Sequence, residues 1–197
     1  MEMKSTDWEF WDSRYRAGKM PWDFRGVPGA LSAYLQTLAT PGRVLIPGCG
    51  SGYEVRACHE RGWDVLAMDH SPAALERARQ VLGPLADKVL LADFFTHDFG
   101  GRKFDVVYER TFLCSLPPER WPAYAQRMAD LLRPAGKLIG FFLYGQEEEP
   151  PPYPLTEAAA LSLFGRDFVR TADEPVLDSL PLFAGRERWQ VWELRKR

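Results

Sequence analysis

Glycine occupies every second position from Gly48 to Gly52, directly after the apolar run Val44–Pro47. A second apolar run, Val65–Met68, ends on Asp69. Because glycine has no Cβ, such a turn lets a ligand lie against bare backbone, and a helix that opens after it points free N–H groups at that ligand. An acid at the end of the next strand can bind a ribose diol. Together these residues predict a site for a nucleoside-containing cofactor.

The spacing of the glycines discriminates between cofactors. A dinucleotide site has the pattern G-x-G-x-x-G or G-x-G-x-x-A. Here Gly48, Gly50 and Gly52 are followed by Tyr53 and Glu54, where that pattern requires its third small residue. Large side chains there would hinder the close helix–strand packing of a pyrophosphate site. The pattern favours S-adenosylmethionine (SAM), which has no pyrophosphate, over NAD; a turn that only connects strand to helix is the alternative.

Aromatic side chains are concentrated near the N-terminus, among them Trp11, Tyr15 and Trp22. Trp11 and Tyr15 are four residues apart, so on a helix they share a face. Aromatic faces attract cations, and SAM carries a sulfonium cation. These rings predict a lid, within residues 1–26, that closes over the cofactor. An N-terminal helix that simply packs on the core is the alternative.

Short apolar runs alternate with longer segments of helical period, which predicts a parallel sheet with helices on both faces. The predicted strands are Arg43–Ile46, Asp64–Met68, Val89–Ala92, Phe104–Tyr108, Lys137–Tyr144 and Arg188–Arg195. The predicted helices are Tyr53–Arg61, Pro72–Leu82, Pro118–Arg133 and Thr156–Phe164, and Ser71 is the predicted N-cap of the second.

In such sheets, ligands bind at the carboxyl ends of the strands. The glycine turn, Asp69, Asp93 and the pair Glu109-Arg110 all lie at such ends. Asp93 and the adjacent Phe94 could supply a polar group and an aromatic wall for an adenine. Core packing is the alternative interpretation of Phe94.

The composition is that of an ordinary globular domain, and the length of 197 residues fits one domain, residues 1–197. A formal charge of −2 gives no bulk attraction to nucleic acid or to an anionic membrane. The 3 cysteines fit no metal spacing and are expected to be free thiols of a cytoplasmic protein. We expect no metal cofactor and no membrane span, and a monomer by default.

Several longer segments resemble one protein family, and the resemblance extends over nearly the whole chain. The segments are W-D-S-R-Y-R-A-G-K-M-P-W-D (Trp11–Asp23), L-I-P-G-C-G-S-G-Y-E (Leu45–Glu54), M-D-H-S-P-A-A-L (Met68–Leu75), A-D-F-F (Ala92–Phe95), F-D-V-V-Y-E-R-T-F-L-C-S-L-P-P-E-R (Phe104–Arg120), L-L-R-P-A-G (Leu131–Gly136) and P-P-P-Y (Pro150–Tyr153). In these segments the chain resembles the thiopurine methyltransferase family of SAM-dependent enzymes, especially the branch with plant halide/thiol methyltransferases.

The resemblance implies a class I methyltransferase fold, an α/β Rossmann-like sheet of seven mostly parallel strands with an antiparallel last strand. It also implies SAM as cofactor, S-adenosylhomocysteine as product, and a small methyl acceptor, with no nucleic acid. The implied cofactor contacts are Trp11, Tyr15, Trp22, Gly48, Asp69, Asp93, Phe94 and Glu109. Tyr15 departs from the tryptophan that plant relatives tend to carry, but it keeps an aromatic face.

The resemblance implies catalytic roles for Arg110 and Tyr153. Arg110 matches an arginine at the active site of thiopurine methyltransferases, which the plant halide-methylating branch often lacks, and this argues against halide as the main acceptor. An arginine could attract a thiolate, with a structural ion-pair partner of Glu109 as the alternative role. Tyr153 could orient the nucleophile through its hydroxyl or serve as an apolar wall. Thiol, thiopurine, halide, selenium and tellurium acceptors all stay open.

Three other functions compete with this hypothesis. Pro150–Tyr153 superficially resembles the N-P-P-Y motif of nucleic-acid amino-methyltransferases, but it follows the fifth predicted strand instead of the fourth. An NAD-dependent oxidoreductase is disfavoured by the glycine spacing. A non-catalytic cofactor-binding protein of the same fold is the third competitor. We predict a SAM-dependent methyltransferase acting on a small soft nucleophile, most plausibly a thiol.

Overall fold

The computed structural model describes residues 5–196. Six helices are α1 (Trp8–Arg16), α2 (Gly29–Thr37), α3 (Tyr53–His59), α4 (Pro72–Leu82), α5 (Trp121–Leu131) and α6 (Glu157–Phe164). Seven strands are β1 (Arg43–Pro47), β2 (Asp64–Asp69), β3 (Val89–Leu91), β4 (Phe104–Arg110), β5 (Leu132–Leu143), β6 (Phe168–Pro175) and β7 (Glu187–Leu194). The first residues of the predicted lid, 1–4, lie outside the described part of the chain.

The strands form a seven-stranded sheet in the order β3-β2-β1-β4-β5-β7-β6. Strand β7 is antiparallel to both β5 and β6, whereas β1–β2, β2–β3 and β4–β5 are parallel pairs. The predicted fold class, a mostly parallel sheet with an antiparallel last strand, is therefore confirmed. Two compact units make up the chain, Met1–His97 and Asp98–Arg197, and whether the chain acts as the predicted single domain stays a prediction.

In the first unit, β1 and β2 pair in register from Arg43 opposite Asp64 to Pro47 opposite Met68. Both strands are buried over most of their length, as expected of parallel strands that are covered on both faces. Helix α4 begins as predicted, because the Ser71 hydroxyl accepts a hydrogen bond of 3.0 Å from the Ala74 N–H. This pairing brings the ends of β1 and β2 side by side.

In the second unit, β5 is the longest strand and pairs with β4 on one side and β7 on the other. Arg110, at the end of β4, is in register with Phe141 on β5. Phe141 is in turn opposite Trp189 on β7. The register thus places three neighbouring strands around the carboxyl end of β4.

The boundaries of two predicted elements are wrong. The helix predicted over Pro118–Arg133 is a short 3-10 turn, Pro118–Arg120, followed by α5, and β5 starts at Leu132 instead of Lys137. Proline lacks a backbone N–H and fits only the first turn of a helix, so Pro122 limits where α5 can start. Strand β5 is irregular between Leu132 and Lys137. The β4–β5 register shifts there, and Ala135 has a φ of +61°.

Two elements have no counterpart in the residue-level prediction, helix α2 and strand β6. Strand β6 is the outermost strand next to β7. Its sequence, F-V-R-T-A-D-E-P, carries charges and lacks apolar alternation, which is common at a sheet edge. Across residues 5–196, none of the helices has the length and hydropathy needed to cross a bilayer.

Candidate functional site

The glycine turn after β1 has the backbone that the sequence predicts. Gly48, Gly50 and Gly52 have φ angles of +59°, +52° and +73°, which side chains with a Cβ rarely adopt. The turn closes through a 2.9 Å hydrogen bond from the Gly52 N–H to the Cys49 carbonyl, and the Cys49 N–H donates to the Met68 carbonyl of β2 at 3.0 Å. Glycine is therefore strongly favoured at these positions by conformation.

Asp69 fastens this turn to the end of β2. Its Oδ2 accepts a hydrogen bond of 2.9 Å from the Gly50 N–H, and its Oδ1 accepts one of 2.9 Å from the Ser71 N–H. Burial raises the pKa of Asp69, and these backbone donors oppose that effect. A carboxylate offers about four acceptor positions, so Asp69 keeps acceptor capacity for further donors such as ribose hydroxyls.

The three predicted lid rings form one cluster. The Trp11 and Trp22 rings meet edge to face at 5.3 Å between centroids, and the Tyr15 and Trp22 rings do so at 6.0 Å. Trp11 is also held by a 2.8 Å hydrogen bond from its Nε1 to the Ser5 carbonyl. The structure therefore brings together the aromatic residues that the sequence assigned to the lid.

The lid is anchored to the start of α4 by Asp12, a residue that sequence reasoning did not single out. Asp12 Oδ1 accepts hydrogen bonds from the Ser71 hydroxyl at 2.9 Å and from the Ala73 N–H at 2.7 Å. Burial alone would raise the pKa of Asp12, but hydrogen bonds from Ala73, Arg16 and Ser71 outweigh it and lower the pKa. A carboxylate in the first helix, three residues before Tyr15, was the only available signal.

Two further contacts join the lid to the glycine turn. A Cβ added at Gly50 would lie 2.5 Å from the Tyr15 hydroxyl oxygen, so Tyr15 occupies the space above the turn. Asp23 Oδ2 accepts a 2.8 Å hydrogen bond from the Ser51 hydroxyl. Burial and the charge of Asp69 raise the pKa of Tyr15, so its hydroxyl stays protonated. Tyr15, Asp23 and the glycine turn of the first unit are thus connected in one group.

Asp93 and Phe94 follow β3, as the sequence predicts. Asp93 Oδ1 accepts a 2.8 Å hydrogen bond from the Phe95 N–H, which shapes the turn. The Ala92 N–H donates 3.0 Å to the Asp69 carbonyl, so this turn starts directly beside Asp69. Phe94 is only 3% exposed and packs edge to face on Phe95. Its proposed contact with an adenine stays a prediction.

Glu109, in the second unit, accepts three hydrogen bonds with its carboxylate. Oε1 accepts hydrogen bonds of 2.9 Å from the N–H groups of Phe112 and Leu113, and Oε2 accepts one of 2.5 Å from the Tyr124 hydroxyl. The side chain is 1% exposed, and burial raises its pKa to about 7. The side chain thus shapes the turn after β4, so a cofactor contact at Glu109 would fall to its backbone.

Arg110 lies at the end of β4, with its guanidinium carbon 5.6 Å from the centre of the Phe141 ring. A cation above an aromatic face is favourable. The Tyr153 N–H donates a 2.7 Å hydrogen bond to the carbonyl of Cys114, in the turn that follows Arg110. The two residues that the resemblance makes catalytic are thus fastened to one end of the second unit.

The three cysteines, Cys49, Cys58 and Cys114, are free thiols. Burial raises the pKa of Cys58 to about 12 and also raises the pKa values of Cys49 and Cys114, so these thiols are protonated at neutral pH. Within residues 5–196, His, Cys, Asp and Glu side chains form no group of three or more that could hold a metal ion.

The residues of the first unit fit SAM. Asp69 retains acceptor capacity, the residues of the glycine turn have positive φ angles, and the Tyr15 ring packs edge to face on Trp22. The acid suits a ribose diol and the rings suit a sulfonium. An acid, a glycine turn and an aromatic cluster are thus connected in one place.

Comparison with known proteins agrees with this geometry. The family Thiopurine S-methyltransferase (TPMT) matches residues 6–196. The chain is 38% identical over 150 residues to probable thiol methyltransferase 2 of Arabidopsis thaliana, covering 73% of this chain and 66% of that protein, just under two thirds of its length. It is 30% identical over 200 residues to thiopurine S-methyltransferase of Nitrosospira multiformis, covering 90% and 91%.

Among solved structures, the chain resembles Burkholderia thailandensis 1,6-didemethyltoxoflavin-N1-methyltransferase, a structure with bound 1,6-didemethyltoxoflavin and S-adenosylhomocysteine. The TM-score is 0.77 at 20% identity, covering 96% of this chain and 87% of that one. This likeness supports the fold, and the matched proteins belong to the enzyme class that the sequence predicts. Because the family match spans nearly the whole described chain, the protein belongs to the thiopurine S-methyltransferase family.

Proposed function

We propose that the protein is a SAM-dependent methyltransferase that transfers a methyl group to a small thiol. The observation that carries the proposal is the hydrogen bond between the Gly50 N–H and the Asp69 carboxylate, within a chain of the thiopurine S-methyltransferase family. Its relatives include a probable thiol methyltransferase and a thiopurine S-methyltransferase. A small-molecule acceptor, a monomer and a cytoplasmic location stay predictions.

The first unit supplies the proposed cofactor residues. Asp69 would accept hydrogen bonds from the ribose hydroxyls, and the glycine turn would face the rest of the nucleoside. Tyr15 and Trp22 would present aromatic faces to the sulfonium. Asp12 holds the helix that carries Tyr15 against the start of α4, so it would position the lid without touching the cofactor.

The second unit supplies the proposed acceptor residues. Arg110 carries a guanidinium group, and its charge would attract a thiolate and stabilise it. The Arg110 guanidinium lies over the Phe141 ring, which packs on Trp189 with centroids 5.1 Å apart. This buried aromatic pair would form the apolar wall beside the organic part of a thiol. Tyr153, fastened by its backbone to Cys114, would orient the acceptor from the adjacent loop.

When bound, SAM supplies a methyl group activated by the positive sulfur. The protein must then align the acceptor sulfur, exclude water and balance charge. A soft thiolate needs no metal to attack the methyl carbon. Alignment alone can be worth an effective molarity on the order of 10⁵ M or more. Arg110 and the aromatic residues beside it are the groups proposed to provide this alignment.

Two measurements test the proposal. Thermal shift with S-adenosylhomocysteine and with NAD tests the cofactor, and stabilisation by NAD alone would contradict it. A screen with methyl-labelled SAM against an aromatic thiol, an alkyl thiol, iodide and a single-stranded oligonucleotide then tests the acceptor. We expect methylated thiol, and methylation of the oligonucleotide alone would favour an amino-methyltransferase. Cofactor binding without any transfer would indicate a non-catalytic binding protein.

A further inference from the structure

A buried acid lies on the same face of the second unit as Arg110. In the antiparallel β5–β7 pair, Phe141 is opposite Trp189 and Leu143 is opposite Glu187. Residues two apart on a strand share a face, so Glu187 shares a face with Trp189. Arg110 is in register with Phe141 and lies over its ring. Arg110 and Glu187 thus flank one aromatic patch, Phe141 and Trp189.

Glu187 is 5% exposed, in contrast to most glutamates, which point into solvent. Burial raises the pKa of its carboxyl group, while Ser179 and the charge of Arg110 oppose the rise and Asp178 adds to it. Glu187 and Arg110 both act on the Cys114 thiol as well. The guanidinium and this carboxylate therefore interact electrostatically in the part of the unit that carries Tyr153.

Both arginines that neighbour Glu187 in the sequence are paired with other carboxylates. Its neighbour Arg186 pairs with Glu147 at 3.3 Å, and Arg188 pairs with Asp173 at 2.5 Å. The carboxylate of Glu109 is taken by Tyr124 and two backbone donors. Glu187 is therefore a buried carboxylate on the face that carries Arg110, where it can exchange a proton beside the guanidinium.

We propose that Glu187 receives the proton of the acceptor thiol and so makes the site selective for acceptors that carry a proton. This proposal rests on the proposed function. The acceptor S–H bond breaks and its proton passes to the Glu187 carboxylate. The sulfur electron pair forms a bond to the methyl carbon, while the bond from that carbon to the sulfonium breaks and leaves S-adenosylhomocysteine. Arg110 stabilises the thiolate while it exists. The total charge is conserved, because neutralisation of the Glu187 carboxylate by the proton balances the loss of the sulfonium charge.

The same arrangement disfavours acceptors that arrive as anions without a proton. Thiocyanate or iodide beside Arg110 would meet the ionised Glu187 carboxylate, and like charges repel. Such an anion would bind well only after Glu187 takes a proton from solvent. We therefore expect opposite pH dependences for the two kinds of acceptor, since one brings the proton and the other requires it.

The wild-type protein supplies the first test, with phenylmethanethiol and thiocyanate as acceptors. Phenylmethanethiol has an aliphatic thiol with a pKa of roughly 8.5 or above. Its kcat/KM should be nearly independent of pH between the pKa of Glu187 and that of the thiol. For thiocyanate, kcat/KM should fall about tenfold per pH unit above the pKa of Glu187, because one proton must be taken up. Equal profiles for the two acceptors would overturn the proposal.

A binding measurement provides a readout that does not depend on turnover. Calorimetric titration of thiocyanate into the complex with S-adenosylhomocysteine, in buffers of different ionisation enthalpy, reports the number of protons taken up. The proposal predicts an uptake approaching one proton above the pKa of Glu187. Binding without proton uptake would contradict it.

The substitution Glu187→Gln removes the proton acceptor while keeping the shape of the side chain. Its kcat/KM for phenylmethanethiol should rise about tenfold per pH unit up to the thiol pKa, since the proton must now leave to solvent. Its thiocyanate profile should become flat, with no proton uptake on binding. Glu187→Asp should retain the wild-type pattern at a lower rate.

Glu193→Gln is the matched control, because Glu193 lies on the same strand and pairs with Lys137 at 3.9 Å at its other end. It should keep wild-type profiles for both acceptors. Wild-type profiles in Glu187→Gln would overturn the role of Glu187 while leaving the methyltransferase intact. Absence of transfer to any acceptor in the wild type would instead contradict the proposed function. If Glu187→Gln does not fold, the wild-type profiles and proton uptake still decide the proposal.

Discussion

The backbone N–H of Gly50 donates a 2.9 Å hydrogen bond to Oδ2 of Asp69, across 19 positions of sequence. This bond fixes the end of β2 against the turn after β1, and both are features that the sequence assigned to a nucleoside cofactor. It also orients the carboxylate, whose other oxygen is held by the Ser71 N–H. The acid is therefore pre-positioned before any ligand arrives, which reduces the cost of ordering on binding.

Asp69→Asn should weaken binding of S-adenosylhomocysteine by about 10- to 100-fold, the value of one or two hydrogen bonds to a charged group. Asparagine has an NH₂ donor in place of one acceptor oxygen. This NH₂ group cannot accept a hydrogen bond from a ribose hydroxyl or from a backbone N–H, so one of these bonds is lost. Isothermal titration calorimetry measures the change. Asp64→Asn, at the exposed start of the same strand, should leave the affinity unchanged. Equal affinities of both variants would remove Asp69 from the cofactor site.

Gly50→Ala should destabilise the first unit more than Gly18→Ala. Both glycines have positive φ, so each alanine carries backbone strain of about 1–3 kcal/mol. At Gly50 the new methyl group would also lie 2.5 Å from the Tyr15 hydroxyl, whereas at Gly18 nothing lies within 4 Å. Thermal unfolding with and without S-adenosylhomocysteine measures both effects.

Tyr15→Phe provides the partner substitution for a double-mutant cycle with Gly50→Ala. It removes the hydroxyl, and the next nearest atom of the ring is 3.7 Å from the added Cβ. The double variant should therefore be more stable than the sum of the two single effects predicts. Strict additivity would show that Tyr15 does not pack on Gly50 in solution.

Glu109 should make stability fall as pH rises from about 4.5 to about 7. Burial raises its pKa from 4.5 to about 7, so the folded state holds a proton that the unfolded state releases. This contribution is fully present below the unfolded pKa and is lost as pH rises through the folded pKa, a change of about 3 kcal/mol. Denaturant unfolding of wild type and Glu109→Gln across this pH range should show a steeper decline in the wild type.

Gln36→Glu is a suitable contrast, since it introduces a carboxylate at an exposed position of a helix, α2. Its stability should follow the wild-type pH dependence closely. A wild-type curve parallel to that of Glu109→Gln between pH 4.5 and 7 would mean that Glu109 keeps its ordinary pKa.

Arg110→Ala should lower kcat/KM for a thiol about 100-fold or more, with the affinity for S-adenosylhomocysteine changed less than about threefold. An interaction with a charged group in a desolvated site is worth several kcal/mol at most. Arg166→Ala, on a side chain that is 77% exposed, is the control and should change neither quantity. An equal loss of affinity and turnover in Arg110→Ala would assign the arginine to the cofactor.

Local sequence patterns predicted the turn geometry and the contacts of the first unit well, while its binding of a cofactor stays a prediction. Gly48–Gly52 and Asp69 are recognisable because a positive φ favours glycine and because an acid at a strand end has no packing role. The aromatic cluster assigned to the lid was also found from spacing. Its anchor, Asp12, was missed because its partners Ser71 and Ala73 are 59 and 61 positions away.

The residues proposed to act on the methyl acceptor were less predictable from the sequence, because they lie on strands far apart along the chain. Arg110 stands in a recognisable segment, but Glu187 is brought beside it only by the antiparallel return of β7 along β5. The strand predicted from the sequence begins at Arg188, one residue after Glu187, and no strand was predicted at the position of β6. No local pattern near Glu187 distinguishes a buried carboxylate from an exposed one, because its burial depends on strands far away in sequence.

The most direct test of the central claim is a transfer assay with SAM carrying a deuterated methyl group and an aromatic thiol, followed by mass spectrometry. We predict a deuterated methyl thioether and S-adenosylhomocysteine in equal amounts, with the yield strongly reduced in Arg110→Ala. Saturation with SAM, verified by calorimetry, but without any thioether from aromatic or alkyl thiols would contradict the assignment of thiol methylation.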